Sequence, residues 1–327
     1  METKYRFDRA TLPFRTDFQV AGTQCLLATN SYRALRAAEK WRGAPIEDRA
    51  KHFRMELLVE LGARTDVQHG AHFRGMKHLV FVSLPPYGFL AYDLLRRQVR
   101  GVLTPCAVSD EVFWDSLLLP ITVGLMGTTM AVAPLHCACL ERDGKALLIA
   151  GAAGAGKSTL TAALGQRGFA VVSDDWTYIS QAHGSLVACG LGVPLKLLPD
   201  AAQFFSALND CNLRRTLNGE LAYEVNPEST MGIAVKRAAY PRWILFLERV
   251  DHGASVMAPC RKEFVLDFFE KSAEKLPLEL DQARRSRTAI IQQLAECPAW
   301  ILRTGESPQQ TAEAIEGFLG EAYYATA

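Results

Sequence analysis

Gly151-Ala-Ala-Gly-Ala-Gly-Lys-Ser-Thr159 fills the fixed positions of the phosphate-loop pattern G-x-x-x-x-G-K-[ST] with Gly151, Gly156, Lys157 and Ser158. Its flanks are what that pattern needs. Ala146-Leu-Leu-Ile-Ala150 is a short continuous apolar run that predicts a buried strand. Behind the loop, Leu160 and Leu164 fall one helical turn apart, and Gly168 marks a helix stop. Strand, glycine loop and helix in that order aim successive backbone N–H groups, and the positive end of the helix dipole, at one anion. Gly151, Ala152, Ala153, Gly154, Ala155, Gly156, Lys157, Ser158 and Thr159 are therefore expected to wrap a nucleotide's phosphates. Lys157 is expected at the β- and γ-phosphates and the Ser158 hydroxyl on Mg²⁺.

Upstream, Arg142-Asp143-Gly144 separates two apolar runs, and Asp-Gly is a favoured two-residue hairpin turn that pairs residue 142 with 145. Continued outward, that register sets His136 opposite Gly151, beside the loop. Downstream, Phe169-Ala-Val-Val172 predicts a buried strand next to the phosphate-loop strand, ending in Ser173-Asp174-Asp175. Carboxylates at the carboxyl end of such a strand fall in the ligand crevice of an open α/β sheet. One acid can ligate Mg²⁺ alongside Ser158 while the other accepts a proton from an attacking hydroxyl. Two like charges so close also push one pKa upward, which suits a base.

With these residues in place, the chain resembles the nucleotide-binding domain of HPr kinase/phosphorylase and the kinases like it, including those that phosphorylate peptide hydroxyls in lasso-peptide pathways. The shared pattern is His136, the loop from Gly151, and Asp174-Asp175 at matching spacings, followed by Pro194-Leu-Lys-Leu-Leu-Pro-Asp200. The resemblance covers about residues 130–250. It implies an α/β P-loop domain of the HPr-kinase/PEP-carboxykinase-like type with a mixed sheet, ATP and Mg²⁺ as cofactors, and transfer to a serine-type hydroxyl. It also implies roles: Asp174 the base, Asp175 a magnesium-side carboxylate, His136 a neighbour of phosphate or hydroxyl, and Lys196 a second cation near the transferred group. Ala188-Cys-Gly-Leu-Gly192 keeps the glycines of the HPr enzymes' signature without its Glu and Arg. That departure leaves the phosphorylase reaction, and HPr as acceptor, open.

The chain has 327 residues, enough for two domains, and 36 Lys+Arg against 35 Asp+Glu leave a net charge of +1, which gives no electrostatic case for a nucleic-acid or membrane partner. The eight cysteines are scattered; Cys137 and Cys139 lack a second pair to complete a zinc set, so buried thiols in a reducing cytoplasm are expected. The first residues carry no apolar signal core, so the expected location is cytoplasmic. Residues 116–135 are uncharged over a membrane-span length, but Pro120, Gly124 and Gly127 favour a helix buried against the sheet.

Residues 1–108 read as an N-terminal α+β module that leans antiparallel, a partner- or substrate-binding unit, and residues 109–327 as the kinase domain. Strands are expected near residues 18–21, 25–28, 55–61, 78–84, 88–92 and 99–103, with a helix over 32–41. His69, His72 and His78 are read as solvated loop histidines. Residues 110–128 predict a helical connector, and 206–231 a long polar loop serving as a lid or an acceptor-binding flap, with Arg214, Arg215, Lys236 and Arg237 available to steady phosphate charge. A strand at 243–247, helices at 264–274 and 278–295, a last strand at 300–303 and a helix opened by Ser307-Pro308 complete the chain.

The expected function is an ATP/Mg²⁺-dependent kinase acting on Ser or Thr of a peptide or small protein. A small-molecule acceptor such as an amino acid or sugar is the second reading, and a nucleotide-dependent switch without an acceptor the third. Acceptor identity, donor nucleotide and oligomeric state stay open.

Overall fold

The computed structural model describes residues 11–42, 46–60, 71–182, 184–192, 194–216, 219–273 and 275–324. The chain divides into two compact units, one formed up to Val132 and the other from Ala133 onward; short segments around Gly219 and at 275–287 group with the first. The break falls at residue 132 rather than 108 because the connector belongs to the first unit's core. There the buried Tyr92 and Thr122 hydroxyls hydrogen-bond at 3.1 Å, and Phe113 packs on Tyr87 with ring centroids 4.4 Å apart.

The first unit is built on β1 (Phe14–Val20), β2 (Thr23–Thr29), β3 (His52–Val59), β4 (His72–Met76), β5 (Leu79–Leu84), β6 (Gly88–Asp93) and β7 (Gln98–Leu103), in the order β1-β2-β3-β7-β6-β5-β4. Only β2–β3 and β3–β7 run parallel. Alternate residues of the central strands (Phe53, Met55 and Leu57 on β3; Leu90 and Tyr92 on β6) turn inward, the period-2 pattern of a sheet with one face on the core. The helix Tyr32–Glu39 is opened by Ser31, whose hydroxyl accepts from the Ala34 N–H. β4 was not legible in the sequence: His72-Phe-Arg-Gly-Met76 has no alternation, and pairing with β5 is what makes it a strand. His72 is exposed, His78 lies 3.8 Å from Asp93, and His69 is outside the described residues. The uncharged stretch 116–135 is broken into a π-helical turn (Trp114–Leu118), an α-helix (Leu119–Thr128) and the start of a strand. Among the described residues no helix is long and apolar enough to cross a membrane.

The second unit contains β8 (Val132–His136), β9 (Ala138–Arg142), β10 (Lys145–Gly151), β11 (Ala170–Ser173), β12 (Trp176–Ala182), β13 (Ser185–Cys189), β14 (Leu195–Leu197), β15 (Arg214–Arg215), β16 (Leu221–Val225), β17 (Ala238–Arg249), β18 (Val256–Pro259) and β19 (Ala299–Thr304). A mixed sheet runs β11-β9-β10-β17-β13-β12-β8, with β19 also on β17 and β18 on β19, while β14-β16-β15 form a separate small sheet. β10, β17 and β19 are parallel neighbours. Their central runs, residues 146–150, 243–247 and 300–302, are apolar because both faces are covered there. Leu147 and Ile149 meet the phosphate-loop helix and Ile315 of the last helix; Leu148 and Ala150 meet Phe269 and Ile291 on the other side. The β9–β10 turn has φ of 53° at Asp143 and 79° at Gly144, the type I′ signature. The last helix opens with a capping box: the Gln310 N–H donates to the Ser307 hydroxyl and the Ser307 N–H to the Gln310 side chain, both at 3.3 Å.

Two expectations are corrected. β11 does not adjoin the phosphate-loop strand; β9 lies between them, antiparallel to both, so β11 and β10 still point the same way. Residues 206–231 are not a structureless loop: a hairpin of β15 and β16 and a short helix, Pro227–Met231, occupy most of the described part. β16 pairs with β14. The polar composition hid this because the small sheet is half exposed.

Candidate active site

The glycine loop at 151–156 begins where β10 runs out. A Cβ at Gly151 would stand 2.7 Å from the Leu247 carbonyl oxygen of parallel β17, so no larger residue fits. Gly156 takes φ of 90° as the cap from which the helix Lys157–Gln166 starts. Ala152, Ala153 and Gly154 are exposed at the tip, Ala155 is buried beneath, and Ser158 and Thr159 lie half-buried in the helix's first turn. At the far end the Phe169 N–H reaches the Leu164 carbonyl and the Gly168 N–H that of Gly165, a Schellman stop. The Lys157 ammonium is buried and donates to the carbonyls of Gly151 (3.0 Å) and Ala152 (3.1 Å). Burial lowers its pKa, and the charges of Asp175 and Asp174 pull the other way.

The acid pair is delivered by a bulge. Val171 pairs with Leu140 but Ser173 with Cys139, so β11 spends one extra residue just before Asp174 and turns the following side chains. Gly190 permits this: a Cβ there would lie 1.6 Å from the Val172 carbonyl oxygen. Asp174 is 4% exposed. Its Oδ2 accepts the Lys196 N–H at 3.2 Å, and its Oδ1 is buried without a hydrogen-bond partner. Burial pushes its pKa up to about 7, offset in part by the Lys196 N–H, the Ser158 side chain and Lys157, and raised further by Asp175. Asp175 has a side chain 57% exposed, with Oδ1 2.7 Å from His136 Nε2. Burial would raise its pKa, but the His136 hydrogen bond and the charges of His136, Lys157 and Lys196 outweigh that and hold it low. Adjacent carboxyls thus differ in proton affinity, the arrangement that separates a base from a fixed charge.

His136 reaches the site by another route than the hairpin register. That register holds from Arg142↔Lys145 to Ala138↔Ile149 and then stops, so His136 is not opposite Gly151 in the ladder. The Cys137 N–H turns back to the Leu135 carbonyl at 2.9 Å and the Thr177 hydroxyl donates to the Cys137 carbonyl at 2.7 Å, which diverts the chain into β8 beside β12. His136 then sits against Asp175 and 5.5 Å from the Trp176 ring. Trp176 had no signal of its own beyond following the acids.

Lys196, on β14, holds Asp174 through its main chain, while its ammonium pairs with Glu220. Glu220 escaped sequence reasoning because its segment read as loop. Arg214 and Arg215 are exposed on β15; Lys236 is taken up by buried Glu141 at 2.6 Å, and the Arg237 carbonyl accepts the Gly190 N–H. A cavity of about 370 Å³ lined by Arg142, Asp143, Phe169 and Trp243 lies at the hairpin-turn end of β10, away from the loop.

Mg²⁺ takes oxygen ligands and is held by one or two carboxylates plus substrate phosphates. The Ser158 hydroxyl, the exposed Asp175 carboxylate and the unpartnered Asp174 Oδ1 are oxygen donors of that kind. Among the described residues no group of three or more His, Cys, Asp or Glu could hold a metal without such help.

No protein-family model and no curated protein sequence matches the chain. Among solved structures it is similar to the HPr(Ser) kinase/phosphatase from Coxiella burnetii, at 14% identity and a TM-score of 0.31, over 58% of this chain and 98% of that one. A likeness that low fixes neither family nor activity.

Proposed function

We propose that this chain is an ATP- and Mg²⁺-dependent kinase that moves the γ-phosphoryl group onto a hydroxyl, with Ser or Thr of a peptide or small protein as acceptor. Asp174 carries the reading: a buried carboxyl with one unpartnered oxygen, held at about 7 and coupled to Lys157 and Ser158 of the phosphate loop. A general base works best when its proton affinity is close to ambient pH. Asp174 takes the acceptor's hydroxyl proton as that oxygen attacks the γ-phosphorus. The bond from γ-phosphorus to the bridging oxygen breaks, ADP leaves with its electron pair, and Asp174 returns the proton to solvent. Lys157 and the loop N–H groups meet the charge that spreads over the phosphoryl oxygens. His136 orients Asp175. Ser158 and Asp175 would hold Mg²⁺, which when bound neutralises phosphate charge. The Ser/Thr acceptor class is what the resemblance to the HPr-kinase-like kinases implies, a resemblance carried by His136, the loop, the acid pair and the 194–200 run.

The test is Asp174→Asn, with fluorescent-nucleotide binding and phosphoryl transfer to candidate peptides measured together. Nucleotide binding is expected to persist while transfer falls by about 10²–10⁴-fold, the contribution of a positioned base. Transfer near the wild-type rate would remove Asp174 from the mechanism. ATP turnover that depends on a partner but leaves no phosphate on it would identify a switch.

A further inference from the structure

The first unit's sheet ends in β4, all five of whose residues are exposed. Among the described residues β4 pairs with β5 alone, so its outer edge presents N–H and C=O groups spaced for an added strand. Phe73, Met76, Phe81 and Phe89, on the successive strands β4, β5 and β6, are all exposed, an apolar concentration that edge protection does not explain. The hairpin 71–84 contains no acid and carries Arg74, Lys77, His72 and His78. The acid across from Leu79, Asp93, is met by His78 and Arg96, each at 3.8 Å.

The register says what a partner strand would meet. Arg74 pairs with Phe81 and His72 with Ser83, so His72, Arg74 and Met76 share one face with Phe81 and Phe89. The opposite face of β4 carries Phe73 and Gly75, and a Cβ at Gly75 would find nothing within 4 Å. A strand laid along β4 alternates its side chains between these faces. Acids suit the Arg74 face; β-branched or aromatic residues suit the face where Phe73 stands beside the Gly75 gap. A second copy is a poor occupant: antiparallel self-pairing about the centre of β4 sets Arg74 opposite Arg74 with no acid nearby, and like charges directly opposite destabilise a sheet.

We propose that the β4 edge is a docking strand for an extended segment of a protein or peptide partner that alternates acidic and apolar residues and adds to the sheet through main-chain hydrogen bonds. The site lies within the first unit and does not depend on the phosphotransfer reading.

The test uses the full-length chain and three labelled peptides: (Glu-Val)₃, its Lys-Val counterpart, and a Glu-Val peptide with central prolines that block strand addition. Anisotropy should show the Glu-Val peptide binding at least about tenfold tighter than either control, more weakly as salt rises. Hydrogen exchange should show protection confined to residues 72–76. The exposed double variant R74E/K77E should reverse the charge preference with exchange elsewhere unchanged. Equal binding of all three peptides, no binding up to millimolar peptide, an unaltered preference in the double variant, or protection of 72–76 through self-association would each overturn the proposal.

Discussion

The sharpest consequence of the site concerns stability. Asp174 keeps its proton in the folded chain until about pH 7, whereas in the unfolded chain it behaves as an ordinary carboxyl near 3.8. Between those values unfolding releases a proton, so raising the pH favours the unfolded state, and the penalty stays constant above pH 7. At about 1.4 kcal/mol for each tenfold change in proton affinity, a difference of about three decades costs about 4 kcal/mol. Asp174→Asn keeps an oxygen for the Lys196 N–H and removes the charge. In metal- and nucleotide-free buffer the variant should therefore gain on the wild type from pH 4 to 7, by about 4 kcal/mol in all, and no further to pH 8. At a urea m-value of about 2–3 kcal/mol/M that moves the midpoint difference by roughly 1.3–2 M. Urea titrations of both proteins at pH 4, 5, 6, 7 and 8 measure it. A difference that does not change with pH would show that Asp174 is not held protonated, and the base assignment would lose its physical ground.

His136→Ala removes the hydrogen bond and charge that hold the Asp175 carboxylate in place, so the Mg²⁺ concentration needed for half-maximal transfer should rise about 10–100-fold while the acid limb, set by Asp174, stays where it is; an unchanged Mg²⁺ requirement would count against the pairing. Gly190→Ala forces a Cβ onto the Val172 carbonyl, and a loss of about 3 kcal/mol or more is expected by urea denaturation; an unchanged midpoint would contradict the bulge packing. Lys157→Met should abolish nucleotide binding without lowering urea stability, because the buried ammonium carries a desolvation penalty that methionine lacks. Retained binding would refute the role given to Lys157.

Much of the site could be read from local chemistry. The loop, its helix and the Asp143-Gly144 turn follow from residues whose backbone preferences act over a few positions. The acids were placed at the correct strand end, yet their neighbour was misjudged, since insertion of β9 between β10 and β11 depends on long-range pairing. His136 shows the same limit: the turn at Arg142-Asp-Gly144 fixes the register only until Cys137 bends away, and nothing in an apolar run announces that bend. Glu220 and β4 were illegible for a related reason. Both acquire their setting from a partner strand rather than from their own pattern.

The main-chain grip of residue 196 on Asp174 separates two properties usually tied together. Any residue except proline can supply that N–H. A replacement at 196 short of proline can keep that contact with Asp174, but it gives up the ammonium charge that helps hold the Asp175 carboxyl low.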